Sequence, residues 1–408
     1  MMKTDEIFAS LIKDDKTLTT FSDTSQGIIF DKLPTLIPSV DSVMMGGIPL
    51  SGRSTEIFGD PNIGKSTLVA NLISTAQRMG IITVYFDVEM TTSRYRMEQL
   101  GVDPAKTLTI TPEVDSRTHK VKPITIETIF NKIIDISTLV HEKNKDASVL
   151  FIWDTVAMTQ PDAVASDDIG AQRVATQAKS LADGIRKINA TMQVNNASLI
   201  ALNQARESIG GNTFLGPQII TVGGKAWQHE ASLRLKLTRG KAIKKGTGMD
   251  SVELGHGVNI SFEKSKIGDN AGLRTVAYLL QEDGFDITYN LIKDASSIGL
   301  LSSAGAYLAY TDAEGNVTKK YEKAWQEYLS SDEGQTLFNY LWQECIKHFF
   351  PVVYPPLFNT HAIMTEKEFP MIKGLQKYYI DIQEKRKVSE QAESYRNWKD
   401  SKGGKNGK

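Results

Sequence analysis

Eight consecutive residues, Gly59-Asp60-Pro61-Asn62-Ile63-Gly64-Lys65-Ser66, have the types and spacing to hold a chain of phosphates. They fit the P-loop pattern G-x-x-x-x-G-K-[ST]. Gly59 and Gly64 let the backbone turn and approach a phosphate without a Cβ in the way. The loop amides, with Thr67 opening a helix behind them, offer donors and partial positive charge. Lys65 has the reach for β- and γ-phosphates, and the Ser66 hydroxyl suits Mg²⁺. The expected ligand is therefore a nucleoside triphosphate with Mg²⁺, contacted by Gly59 through Thr67.

Such a cradle needs carboxylates. Asp154 closes the apolar run Val149–Asp154 (VLFIWD), which puts it at the carboxyl end of a buried strand, where open α/β sheets bind ligands. It is the second candidate Mg²⁺ ligand beside Ser66. Hydrolysis also needs a group that orients water. Glu89, at the end of ITVYFDVE and two residues beyond Asp87, is the candidate; on spacing alone it could equally be a loop carboxylate with Asp87 as the cap. Gln204, which ends SLIALNQ, could sense a γ-phosphate or be an exposed polar residue closing a strand.

The elements that must position these groups alternate. Ile82–Asp87, Leu108–Ile110, Val149–Asp154 and Ser198–Asn203 are near-continuous apolar runs, the pattern of strands buried on both faces. Helix-like stretches lie between and around them: Thr67–Met79, Ser93–Leu100, Thr125–Glu142 and Gln172–Asn189. The alternation predicts an α/β fold with a mostly parallel sheet. Leu233–Leu237, Val258–Lys264 and Thr275–Gln281 follow at closer spacing and predict antiparallel strands at the sheet edge. Residues 1–33 read as a separate arm that docks on its own core or on a neighbouring subunit, 34–283 as the ATPase core, and 284–400 as a small α+β domain. Residues 401–408 (SKGGKNGK) read as a disordered basic tail.

The 408 residues carry a net charge of −1, so nucleic acid would have to be met by local patches rather than a global field. The lone cysteine, Cys345, excludes an intrachain disulfide and a multi-cysteine metal site and fits a reducing, cytoplasmic setting. No run approaches the roughly 18 apolar residues of a membrane span, and MMKTDEIFASLIKDD is too acidic for a signal peptide.

These motifs, in this order, resemble the RecA-type homologous-recombination strand-exchange proteins from about Leu33 to Tyr310. The matching segments include LPTLIPSVDSVMMGGIPLSGR, EIFGDPNIGKSTL, YFDVE, FIWDTVA, IGAQRVATQAKSLADGIRKI, LIALNQARESIG, VGGKAWQHEASLRLKL and EKSKIG. The resemblance implies a P-loop NTPase RecA-like core with an N-terminal polymerisation arm and a small C-terminal domain. It implies that the nucleoside triphosphate is ATP, that Glu89 polarises the attacking water, that Asp154 is the Walker B aspartate and that Gln204 senses the γ-phosphate. It also implies that Lys264 and Lys266 reach ATP on the neighbouring subunit of a helical filament. Without the resemblance these are two solvated lysines. Two loops would face DNA, the first with Arg173, the second with Arg206, Asn212, Phe214, Gly223, Gly224 and Lys225. Phe214 either wedges between bases or packs within its loop. The family's adenine-facing tyrosine is displaced here: spacing puts Arg96 there and Tyr95 one residue earlier, and either can stack on a base.

The activity so implied is DNA-stimulated ATP hydrolysis driving homologous pairing and strand exchange on single-stranded DNA, with duplex DNA, further copies of the chain, and single-strand-binding or loader proteins as partners. Two other readings stay open: a hexameric helicase or motor on the same core, and a filament-forming regulator that binds nucleotide and DNA with little hydrolysis.

Overall fold

The computed structural model describes residues 13, 32–44, 46–114, 116–118, 121–165, 173–207, 219–246, 251–266 and 271–349. The expected arm, the tail, and the stretch from 350 onward lie outside the described residues, except for Lys13, Lys32 and Leu33. Lys32 and Leu33 form β1 (Lys32–Leu33), pair with β2 (Ile48–Pro49) and are buried, so this end of the expected arm lies in the core.

A sheet of nine strands organises the chain. β3 (Ser54–Gly59), β4 (Ile82–Asp87), β5 (Thr107–Ile110), β8 (Val149–Asp154), β9 (Ala197–Glu207) and β11 (Leu233–Lys245) run parallel in the order β11-β3-β9-β8-β4-β5. β12 (Val252–Ser265) and β13 (Arg274–Leu280) extend the β11 side antiparallel, and β10 (Ile219–Thr221) folds back on β9. The expectation for Leu233–Leu237 is thus corrected. It is parallel to β3 and lies inside the sheet, because the chain crosses over before entering it; only β12 and β13 form the antiparallel edge. A small hairpin, β6 (Glu113–Val114) with β7 (Val121–Lys122), stands apart.

Helices cover both faces, which explains the continuous apolar runs. Successive strand residues point to opposite faces, and each face meets its own core. Ile57, Tyr85, Ile152 and Leu202 pack toward α2 (Lys65–Arg78) and α1 (Pro38–Val43). Phe86, Phe151, Trp153 and Ala201 pack toward α4 (Ile126–Lys143) and α6 (Arg173–Val194). Trp153 meets both Phe130 and Trp227 edge to face. The short helices α3 (Arg94–Gln99), α5 (Asp162–Ala165) and α7 (Gly224–Glu230) sit at the ends of strands.

A third core lies C-terminal to the sheet. It is built by α8 (Ile287–Ser297), the meander β14 (Ser302–Ala304), β15 (Tyr307–Thr311) and β16 (Val317–Lys320), and the helices α9 (Glu322–Leu329) and α10 (Gln335–Phe349). Phe338 and Trp342 are buried there with Cys345, so two of the aromatics clustered at 337–350 are core; Tyr340 is exposed and packs edge-on against Tyr310. α1 ties this core to the sheet. The Ser39 amide donates to Asp294 of α8 at 3.0 Å, and Asp41 accepts from Thr35 and Leu36.

Candidate nucleotide and nucleic-acid sites

The loop between β3 and α2 is shaped by its two glycines. A Cβ on Gly59 would stand 2.3 Å from the Leu237 carbonyl oxygen, and Gly64 has φ +97° with Leu279 2.6 Å from its would-be Cβ. Gly64 caps α2 without a side chain in the way, so the first amides of a 14-residue helix open toward the loop. Lys65 Nζ donates to the carbonyls of Gly59 (3.0 Å) and Asp60 (2.7 Å), holding the ammonium in the mouth of the loop. Burial lowers its pKa, and Asp154, Asp60 and Glu89 oppose that shift.

Strand register brings the carboxylates to this mouth. Asp87 and Asp154 are paired across β4 and β8, and Gln204 is paired with Gly59 across β9 and β3. Asp154 shares its face with Tyr85 and Ile152, the α2 face. Its Oδ2 accepts from Ser66 Oγ at 2.9 Å and from Tyr85 OH at 2.7 Å. Burial raises its pKa, while these two hydrogen bonds pull it down. A serine hydroxyl and a carboxylate at this separation are hard oxygen donors, and Mg²⁺ characteristically takes one or two such protein ligands with phosphate and water completing the shell. The donor set therefore fits the ion.

The structure separates the two acids at and after the end of β4. Asp87 is buried and accepts from the amides of Thr91 (3.3 Å) and Thr92 (3.2 Å), so it holds the turn. Glu89 is exposed on that turn; partial burial, Asp154 and Asp87 raise its pKa, and Lys65 lowers it. Arg96 and Tyr95 also part. Arg96 lines a cavity of about 460 Å³ that begins at the P-loop, its guanidinium fixed on the carbonyls of Gln281 (2.9 Å) and Glu282 (2.6 Å). Tyr95 is 76% exposed and is not among the residues lining that cavity.

Lys264 and Lys266 are not merely solvated. Lys264 Nζ donates to the carbonyls of Gln228 (2.7 Å) and His229, and Lys266 Nζ comes within 3.5 Å of the Glu230 carbonyl. These are the last carbonyls of α7, where cations are favoured. Burial, then Lys266 and Arg234, lower the Lys264 pKa to about 8. Both lysines lie at the far end of the sheet from the P-loop. Lys264 pairs with Arg234, Arg234 with Glu56, and Glu56 precedes Gly59 by three positions, about 10 Å of strand.

The second loop starts as a hairpin, with Ala205, Arg206 and Glu207 paired to Thr221, Ile220 and Ile219. Its return reaches Gly223 (φ +108°), the N-cap of α7. A cavity of about 650 Å³ opens at its base, lined by Arg206, Gly223, Gly224, Lys225 and also Lys236. Beneath it lies a buried network: Glu56 pairs with Arg234 at 2.5 Å and accepts from Asn203 Nδ2 at 2.8 Å, and Asn203 Nδ2 also reaches the Val222 carbonyl at 2.9 Å. Asn212 and Phe214 lie outside the described residues. Arg173 opens α6, but its side chain is likewise outside them.

A family model described as the RecA N-terminal domain matches residues 28–285. The chain belongs to the RecA family. A protein named Protein RecA from Thermotoga neapolitana is 29% identical over 272 residues, covering 66% of this chain and 70% of that one. Another so named, from Aquifex aeolicus, is 28% identical over 293 residues, covering 70% of this chain and 75% of that one. The family match ends just before α8, so α8 and the described elements after it, which build most of the third core, lie outside the match.

Three residues of this RecA-family site escaped the motif reading. Tyr85 carried a usable signal, an aromatic hydroxyl two positions before Asp87 in a buried strand. Lys236 had strand alternation only. Glu56 had none, since a carboxylate inside EIFG looks exposed until Arg234, 178 positions away, is seen against it. Among the described residues no group of three or more His, Cys, Asp or Glu is arranged to hold a metal, and no helix is long and apolar enough to cross a membrane.

Proposed function

We propose that the protein is an ATP-dependent DNA recombinase that forms a helical filament on single-stranded DNA, pairs it with a homologous duplex and exchanges strands. ATP would bind on residues 59–67 with its Mg²⁺ between Ser66 and Asp154. Glu89 would orient the attacking water and take its proton, with burial, Asp154 and Asp87 raising its pKa in the direction that favours a base. Gln204, on the α2 face beside Gly59, would report the γ-phosphate. DNA would run along Arg173, Arg206 and the Gly223–Lys225 turn, with Lys236 as an added phosphate contact, through sequence-independent contacts.

One observation carries the reading. The Lys264–Lys266 pair stands away from its own phosphate cradle, which supports a reading in which these cations would neutralise the phosphoryl group transferred on a second copy. α7 would join the two functions, since the second loop returns at its N-terminus and the lysines lie on its last carbonyls.

The test is complementation. Lys65→Ala and Lys264→Ala proteins, each about 10²-fold or more below wild type in DNA-stimulated hydrolysis, are mixed. Mixed assemblies contain sites with an intact cradle from one copy and an intact lysine from the next, so hydrolysis partly returns. Mixtures no more active than the separate variants would overturn the shared site. Electron microscopy with single-stranded DNA and a non-hydrolysable ATP analogue gives helical filaments; closed rings alone would favour a motor.

A further inference from the structure

Tyr85 carries a hydroxyl where a buried strand needs only an apolar ring. It is 2% exposed and packs on the α2 face of the sheet in the same core as Ile57, Ile152 and Leu202. A buried phenol needs a hydrogen-bond partner, and the partner here belongs to the nucleotide site. Register explains the reach. Tyr85 is paired with Ile152, and Asp87 with Asp154, so Tyr85 and Asp154 are diagonal neighbours on adjacent parallel strands. The offset along the strand is two residues, about 7 Å. A phenol spans it; the short hydroxyl of a serine or threonine would not.

Asp154 is held from two elements. Ser66 Oγ, from α2, and Tyr85 OH, from β4, both donate to Oδ2, at 2.9 Å and 2.7 Å. The terminal torsion of an aspartate is soft, so pinning one oxygen sets the direction of the other. Carboxylates that serve a metal are oriented by such partners, and losing one typically costs about 10- to 100-fold in metal affinity.

The same phenol is joined to the turn that carries Glu89, where the Thr92 side chain meets it. The turn is also tied to the ends of β4 and β8. The Val88 amide donates to the Asp154 carbonyl at 3.0 Å, and the amides of Thr91 and Thr92 donate to Asp87. Met90, within the turn, has φ +53°, a left-handed conformation that a residue other than glycine holds only when its surroundings impose it. Tyr85 therefore touches both the carboxylate of the metal site and the turn beside it.

We infer that Tyr85 is a positioning residue that sets the Asp154 carboxylate for the metal and couples metal occupancy to the turn bearing Glu89. This rests on the reading of Ser66 and Asp154 as the metal ligands.

Calorimetric titration of the full chain with ATP, in excess Mg²⁺ and in EDTA, compares wild type with Tyr85→Phe, which keeps the ring and removes the hydroxyl. Tyr85→Phe is expected to weaken ATP about tenfold in Mg²⁺ and to leave it within twofold in EDTA. Amide hydrogen exchange across residues 86–92 reads the turn. In the wild-type ATP complex Mg²⁺ slows exchange there, and in Tyr85→Phe at saturating Mg²⁺ the slowing is lost. An undiminished gain from Mg²⁺ in Tyr85→Phe overturns the inference. So does an equal loss in Mg²⁺ and in EDTA, which would make the hydroxyl a support of the fold. Slowing that survives in Tyr85→Phe overturns it too, since the turn would then respond without the phenol. If Mg²⁺ does not tighten ATP on wild type, the reading of Ser66 and Asp154 itself falls and this inference with it.

Discussion

Two groups of buried carboxylates behave alike in one respect and differently in every other. Asp154 sits beside the P-loop on the Ser66 hydroxyl, and Asp41 and Asp294 sit where α1 meets α8. Burial raises the pKa of all three. Asp154 ends a strand beside the P-loop, bonded to Ser66, with Lys65 near it and Glu89 near enough to sense its charge. Asp41 instead accepts from the amides of Thr35 and Leu36 and from Thr35 Oγ1, all buried, and Asp294 accepts from the Ser39 amide. A shifted pKa records burial. It marks chemistry only where the group also stands among residues and charges that can work on a ligand.

Variants can break or sharpen that contrast. The largest effect is expected at the cation of the first group. Lys65→Ala should lower ATP hydrolysis by about 10³-fold with a native far-ultraviolet circular dichroism spectrum; retained hydrolysis would remove the cradle from the chemistry. Glu89→Gln comes next, about 10²-fold slower in hydrolysis, the usual worth of a general base, with nucleotide binding kept. Should Asp87→Asn rather than Glu89→Gln leave folding intact and abolish hydrolysis, the assignment of the two acids would be reversed.

The second group should respond in stability alone. Asp41→Ala strands two amides and a hydroxyl and is expected to cost about 3 kcal/mol in urea unfolding, with hydrolysis per folded molecule unchanged. A catalytic defect at a temperature where the variant is folded would erase the distinction between the groups. Tyr85→Phe probes the first group more gently. It removes a hydrogen bond that holds the Asp154 pKa down, so the acid limb of the hydrolysis profile should move to higher pH, with about 1 kcal/mol lost in stability.

The smallest effect is a pH trend. Asp294 and Asp41 have folded pKa values raised from 3.8 to about 6 and about 7. Between about pH 4 and pH 7 the folded state thus holds more protons than the unfolded one, and their contribution to stability falls as pH rises through that window. Lys32 works in the opposite sense. Burial, aided by Arg53, lowers its pKa from 10.5 to about 7, so its contribution rises with pH above 7. Unfolding midpoints in urea at pH 5 and pH 7 should therefore differ more in wild type than in Asp294→Asn; parallel lines would mean that Asp294 is ionised throughout.

Much of the parallel sheet was legible because a strand buried on both faces must be apolar throughout, as VLFIWD and ITVYFD are. Leu233–Leu237 was misplaced for the converse reason. Its alternation of Leu with Arg and Lys looks like a half-solvated edge, whereas Arg234 is neutralised by buried Glu56 and its guanidinium lies 4.8 Å from the Phe58 ring centre. A charge paired inside the fold has the same letter as one in water. Lys264 and Lys266 read as solvated for a similar reason, since the helix end they cap is built by residues more than thirty positions earlier.

The sequence by itself determined the phosphate cradle. Gly59 through Thr67 act through turn geometry and helix-end amides, which depend on neighbours a few residues away. It also determined that Asp154 ends a strand, and the order of motifs that identified the family resemblance; Gln204, expected to close its strand, lies inside β9, because the chain runs on to Glu207 to pair with β10. Only the tertiary structure decided that Asp87 holds a turn while Glu89 stays exposed, that Arg96 rather than Tyr95 lines the cavity, and that Lys264 and Lys266 stand at the other end of the sheet from Lys65. These outcomes depend on strand register and on which face a side chain takes, and both are set by packing between segments far apart in the chain.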